Sequence, residues 1–140
     1  MLDFSVSVLP LIVLALGNFI LSWAWYSPIL FAKPWMKALG INPDKKEMTE
    51  EEKRNMPWLF LNGLIASFLV VYGMMVAVHS LNIADFAGGL LVGVVIWAGF
   101  ALTHSLNTLW EGRKPLVLLI NNGLFLLTYA LYGGILAVWR

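Results

Sequence analysis

Four apolar stretches, roughly Phe4–Leu30, Trp58–Val78, Phe86–Leu109 and Leu116–Trp139, occupy most of this 140-residue chain, and none contains Asp, Glu, Lys or Arg. A helix crossing a bilayer core needs about 20 apolar residues, so each stretch is long enough to span one. What remains is a charged loop over 31–57 and short turns. The expected fold is therefore all-α: one transmembrane domain over 1–140, built as a four-helix bundle. Hydrophobic residues make up 60% of the chain and charged ones 12%, too apolar for a soluble domain of this length. Met1-Leu2-Asp3 lacks the basic start of a secretory signal, and the first stretch exceeds the apolar core of one, so it is expected to be retained. The absence of cysteine removes disulfides, thiolate chemistry and cysteine-ligated metals.

The position of the charges says more than their sum of +1. Cytoplasmic loops retain Lys and Arg. The first loop holds Lys33, Lys37, Lys45, Lys46, Lys53 and Arg54, and the third holds Arg113 and Lys114. The Asn82–Asp85 turn has no basic residue, and Arg140 alone faces the other way. This split places a multi-pass protein in the cell membrane with both termini extracytoplasmic. Within the first loop, Pro34–Leu39 followed by Gly40 reads as a short interfacial helix with a glycine stop. Thr49-Glu50-Glu51-Glu52 has capping-box spacing, suggesting a second short helix before Pro57 opens the next span.

Two hairpins align with each other. A shift of 60 positions pairs Asn62-Gly63-Leu64 with Asn122-Gly123-Leu124, and Tyr72-Gly73 with Tyr132-Gly133. The first and third spans match more weakly at a shift of 81, through Phe19 with Phe100 and Lys33-Pro34 with Lys114-Pro115. The expected architecture is a duplicated hairpin, a parallel repeat about an axis along the membrane normal.

At the end of the first span, Trp25-Tyr26-Ser27-Pro28 with Phe31, Lys33 and Trp35 resembles the signature of a bacterial family of small four-span membrane proteins, domain of unknown function 1761. The Trp110-Glu111-Gly112-Arg113 turn resembles it too, and the likeness covers essentially the whole chain. The resemblance implies a four-helix integral membrane protein and brings no activity or catalytic residue with it.

Polar groups in hydrocarbon cost several kcal/mol unless satisfied. Asn18, Asn62, His104 and Asn122 all fall about 7–12 Å below the cytoplasmic boundary at about 1.5 Å per residue. Every span thus contributes to one polar layer. On the third, Thr103, His104, Asn107, Thr108 and Glu111 share an arc of about 140°. Asn18 and Ser22 share a face at i, i+4. The candidate binding residues are Asn18, Ser22, Asn62, Thr103, His104, Asn107, Glu111, Asn121 and Asn122. Two readings stand: interhelical hydrogen bonding, or a polar cavity open to the cytoplasm. His104, Asn107 and Glu111 are expected to face the bundle interior. Gly89 and Gly93 form a G-x-x-x-G pair suited to close helix packing or to a hinge. Trp23, Trp25, Trp35, Trp58, Trp110 and Trp139 sit at span ends as interfacial anchors.

No catalytic constellation is visible. His79 and His104 differ in depth by most of the bilayer, no metal-ligand spacing occurs, and His104-Ser105 are helix neighbours that point apart. Proton coupling would fall to His104 and Glu111. The expectation is a non-enzyme without cofactor or metal: a small transporter, channel or binder for a neutral or weakly polar solute. The alternative is a structural or accessory protein binding lipid or a partner membrane protein. Membrane lipids surround it, a homo-oligomer is expected, and nucleic acid is not.

The orientation is directly measurable. A cysteine replacing Asp3 or Asn82 should react with an impermeant thiol reagent added to intact cells, and protection at both positions would invert the topology.

Overall fold

The computed structural model describes residues 1–44 and 47–140. Lys45 and Lys46, two of the basic residues of the first loop, lie outside the described residues. In chain order the helices are α1 (Val8–Trp25), the short α2 (Ala32–Ala38), α3 (Glu50–Ser80), α4 (Phe86–Trp110) and α5 (Pro115–Val138). All but α2 are long and apolar enough to cross a membrane. The Asp3 amide donates to Ser80 Oγ at 2.7 Å, and the Arg140 guanidinium donates to the Ile83 carbonyl at 2.6 Å. Both chain ends are thereby clasped to the α3–α4 turn. That is the terminal end of the bundle, and the first and third loops mark the loop end.

Local chemistry sets the boundaries. α1 stops at Trp25 rather than at Leu30, because the residue before a proline is pushed out of the helical region and Ser27-Pro28 follows. It begins at Val8 rather than Phe4. α2 ends before Gly40, whose φ of +77° suits glycine. The second loop helix expected after Thr49 is not separate. Thr49 and Glu52 do form the capping box, with Glu52 N–H donating to Thr49 Oγ1 at 3.2 Å and Thr49 N–H to Glu52 Oε2 at 2.6 Å. The helix so started is α3 itself, which runs through Pro57 without a break. A proline there withdraws a hydrogen bond from the Lys53 carbonyl only, and Lys53 lies exposed near the helix start.

Packing is uneven. At the terminal end α1, α3 and α5 close around Leu14, Ala15, Val71, Met74, Met75, Tyr132 and Leu136. α4 lies outside this core and packs chiefly on α5. Its seam is made of backbone: a Cβ on Gly89 would strike the Gly133 carbonyl, and one on Gly93 the Tyr129 carbonyl. The G-x-x-x-G pair thus serves tight packing. The rest of α4 is bare, with 11% of its most apolar window buried against 39% for α5.

α1 packs on α3 and α4 on α5, the pairing that two hairpins require. Positions matched by the sequence shift nevertheless sit in different surroundings. Asn62 is exposed while Asn122 is buried, and Phe19 packs edge-on against Phe60 while Phe100 points outward.

Two glycines separate seam from surface. Gly93→Ala should lower stability in detergent by roughly 1–3 kcal/mol, the cost of overpacking. Gly73, with no atom within 4 Å of a added Cβ, should tolerate alanine or gain up to about 1 kcal/mol. Similar unfolding temperatures for the two variants would refute the close seam.

Candidate functional site

Asn18 ties three helices together. Its Nδ2 donates to Ser67 Oγ of α3 at 3.0 Å, and its Oδ1 accepts from Thr128 Oγ1 of α5 at 3.2 Å. Ser67 passes its own proton to the Gly63 carbonyl at 2.9 Å. All three side chains are buried. Bonds of this kind between membrane helices are worth roughly 0.6–2 kcal/mol each, and together they fix α1, α3 and α5 at one level.

Toward the loop end the same helices part around a cavity of about 540 Å³. Its walls are mostly apolar: Phe19 and Trp23 from α1, Leu59, Phe60 and Val70 from α3, Leu124 and Phe125 from α5. The Asn18–Ser67–Thr128 cluster forms its floor, and Ser22 and Tyr129 add hydroxyls. Neither the Ser22 nor the Tyr129 hydroxyl is hydrogen-bonded within the described residues. No Asp, Glu, Lys, Arg or His is among the lining residues. The volume lies in the range of small-molecule sites, about 300–1,000 Å³.

The remaining candidates divide into structural bonds and outward-facing groups. Asn121 Oδ1 accepts from Tyr26 OH at 2.8 Å and Trp35 Nε1 at 3.1 Å, so it moors the end of α1 and α2 to α5. Trp25 Nε1 donates to the neighbouring Ile120 carbonyl at 3.0 Å. Trp25 and Trp35 are therefore hydrogen-bonded into the fold, whereas Trp23, Trp58 and Trp110 are exposed. Asn122 is buried between α4 and α5: its Oδ1 accepts from Ser105 Oγ at 2.9 Å, and its backbone carbonyl accepts from Trp97 Nε1 at 3.1 Å. Asn62 is exposed and donates to the Trp58 carbonyl of its own helix at 2.8 Å, away from the cavity.

The stripe on α4 does not face the interior. Thr103, His104, Asn107 and Glu111 are all exposed. Thr103 is bonded to carbonyls of its own helix, and Glu111 pairs with Arg113 at 2.9 Å. His104 and Asn107 side chains make no hydrogen bond among the described residues. The cause is the π turn at Trp97–Leu102. On an unbroken α-helix, position 104 would fall about 20° from Gly93 and position 105 about 120°. A π turn accommodates one extra residue, setting everything beyond it back by about 100°. Ser105 then takes the face toward α5 and reaches Asn122, and His104 is turned away. Asn18 and Ser22 thus line the cavity, and the α4 residues do not.

Ser67 and Thr128 were not among the sequence candidates. The signal available was a single hydroxyl inside an apolar span, which by itself does not distinguish a bond to the preceding turn from a bond across helices. Tyr26, at the cavity's loop-end rim, stood only within the Trp-Tyr-Ser-Pro motif.

A family model described as Protein of unknown function (DUF1761) matches residues 9–137. No curated protein and no solved structure matches the chain.

Removing the amide at the floor should be felt by three helices at once. Asn18→Leu is expected to destabilise the protein by about 1–3 kcal/mol, because Ser67 and Thr128 lose a buried partner. Asn62→Leu should change stability by less than about 0.5 kcal/mol, as exposed substitutions do. Thermal unfolding in micelles distinguishes the two, and a neutral Asn18→Leu would refute the floor.

Proposed function

The chain belongs to the DUF1761 family, and from the cavity between α1, α3 and α5 we propose that it binds a neutral, weakly polar molecule. The observation that carries this reading is the lining: apolar walls, the uncommitted Ser22 hydroxyl near the amide floor, and no charged side chain. An ionised guest would leave water without a counter-charge, at a large cost. A guest rich in hydroxyls would leave most of them unpaired against Phe19, Leu59 and Phe125. A hydrocarbon chain or ring bearing one alcohol or carbonyl oxygen matches both parts of the site. With both termini outside the cell membrane, as the basic residues argue, the cavity opens in the cytoplasmic half of the bilayer.

Binding is the member of the transporter, channel and binder class that this geometry supports best. Passage across the membrane requires the Asn18 floor and the core beneath it to part. The role is non-catalytic in this reading, since the lining pairs no nucleophile with a base.

Decanol and decanoate share a chain and differ in charge, and their binding to the purified protein can be compared at pH 8. The alcohol should bind at least ten times more tightly. Ala66→Trp, which places a bulky side chain in the cavity from α3, should abolish binding. Ser22→Ala should weaken it two- to tenfold, consistent with one hydrogen bond of about 0.5–1.5 kcal/mol. Equal affinity for decanoate, or indifference to Ala66→Trp, would overturn the proposal.

A further inference from the structure

The face of α4 turned away from α5 is bare. Leu91, Val95, Thr103 and Asn107 lie on it in one stripe, opposite Gly93 once the π turn is counted, and His104 flanks it. All five are exposed, and α4 is the least buried of the four spans. At about 1.5 Å per residue, His104 lies about 9 Å inside Trp110. Its imidazole and the Asn107 amide have no partner among the described residues, and lipid tails offer neither a donor nor an acceptor.

We infer that this face is where a second copy of the chain docks, about a twofold axis along the membrane normal. The occupant follows from the chemistry of the stripe. Copies in one membrane share an orientation, so such an axis brings identical residues together at equal depth. Side-chain amides and neutral imidazoles each carry a donor and an acceptor. Asn107 and His104 can therefore satisfy the same groups on another copy without any further partner chemistry. Gly99 sits on the same exposed face, and an added Cβ there would meet nothing within 4 Å. Gly73 on α3 is equally open, so the face is marked by Asn107 and His104, and Gly99 leaves room there for a second helix backbone. This interface does not depend on what the cavity binds.

The natural lack of cysteine makes the test clean. Thr103→Cys, as the only cysteine, should form a disulfide-linked dimer when membranes are oxidised with copper phenanthroline. Ile65→Cys, exposed on α3 at a similar distance from the loop end, should remain largely monomeric. Adding Gly99→Leu should cut the Thr103→Cys dimer at least tenfold. Adding Gly73→Leu, at the other open helical glycine on a different face, should leave it unchanged. Asn107→Leu gives a second reading if Gly99→Leu fails to fold, and should likewise reduce the dimer. Equal oxidation at positions 65 and 103, a dimer indifferent to Gly99→Leu or Asn107→Leu, or a crosslink only to another protein would overturn the inference.

Discussion

In hydrocarbon no water is available to receive a donor or an acceptor, so each polar side chain in these spans needs a protein partner or an edge. That constraint accounts for most of the bonded members of the polar layer. Asn18 meets it by binding two other helices, Asn122 by binding Ser105, and Asn121 by gathering a tyrosine and a tryptophan. Thr103 turns back on its own helix. Placing these partners at one level fixes how α1, α3 and α5 meet, and the cavity is the space left where they diverge above that level. Its neutrality follows from the same rule, since a charge placed there would need a partner that no neighbouring helix supplies.

The π turn in α4 decides which polar residue looks inward. Before it, Gly89 and Gly93 press against the backbone of α5. After it, Ser105 keeps that contact and His104 loses it. The indole of Trp97, at the first position of the π turn, is held by the Asn122 carbonyl, so the irregularity is anchored to α5 where the face changes. A helix without the turn would present an imidazole to α5 in place of a hydroxyl.

Much of this architecture was legible in the sequence because hydropathy and small-residue spacing act locally. The four spans, the loop helix before Gly40, the Thr49 capping box and the Gly89–Gly93 contact all follow from residues within a few positions of one another. The polar layer was legible as a depth and illegible as a network. Depth needs only distance from a span end. Partnership needs the rotation of each helix, and the π turn changed that rotation by a residue that no local pattern marks. Ser67 and Thr128 illustrate the other half of the problem: both hydroxyls can serve their own helix or a neighbour, and Asn18 decides the matter from distant positions in the chain. For the same reason Asn62 and Asn122 match in sequence and differ in surroundings, one exposed to the outside and one buried against α4.

The cavity and the α4 seam are joined through α5. Gly93 abuts the Tyr129 backbone carbonyl, and the Tyr129 residue also lines the cavity. Thr128, the residue before it, belongs to the floor, and Leu124 and Phe125, about one turn earlier, belong to the wall. The wall contributed by α5 is thus backed by a helix in direct backbone contact, with no flexible side-chain layer between them. A backbone contact of this kind has little compliance, because neither partner has a rotamer to change. The α1 and α3 walls have no comparable backing among the described residues, and Trp23, Leu59 and Phe60 in them remain exposed. Any widening of the cavity to admit a guest is therefore expected to come from α1 and α3, with α5 and α4 moving as one body.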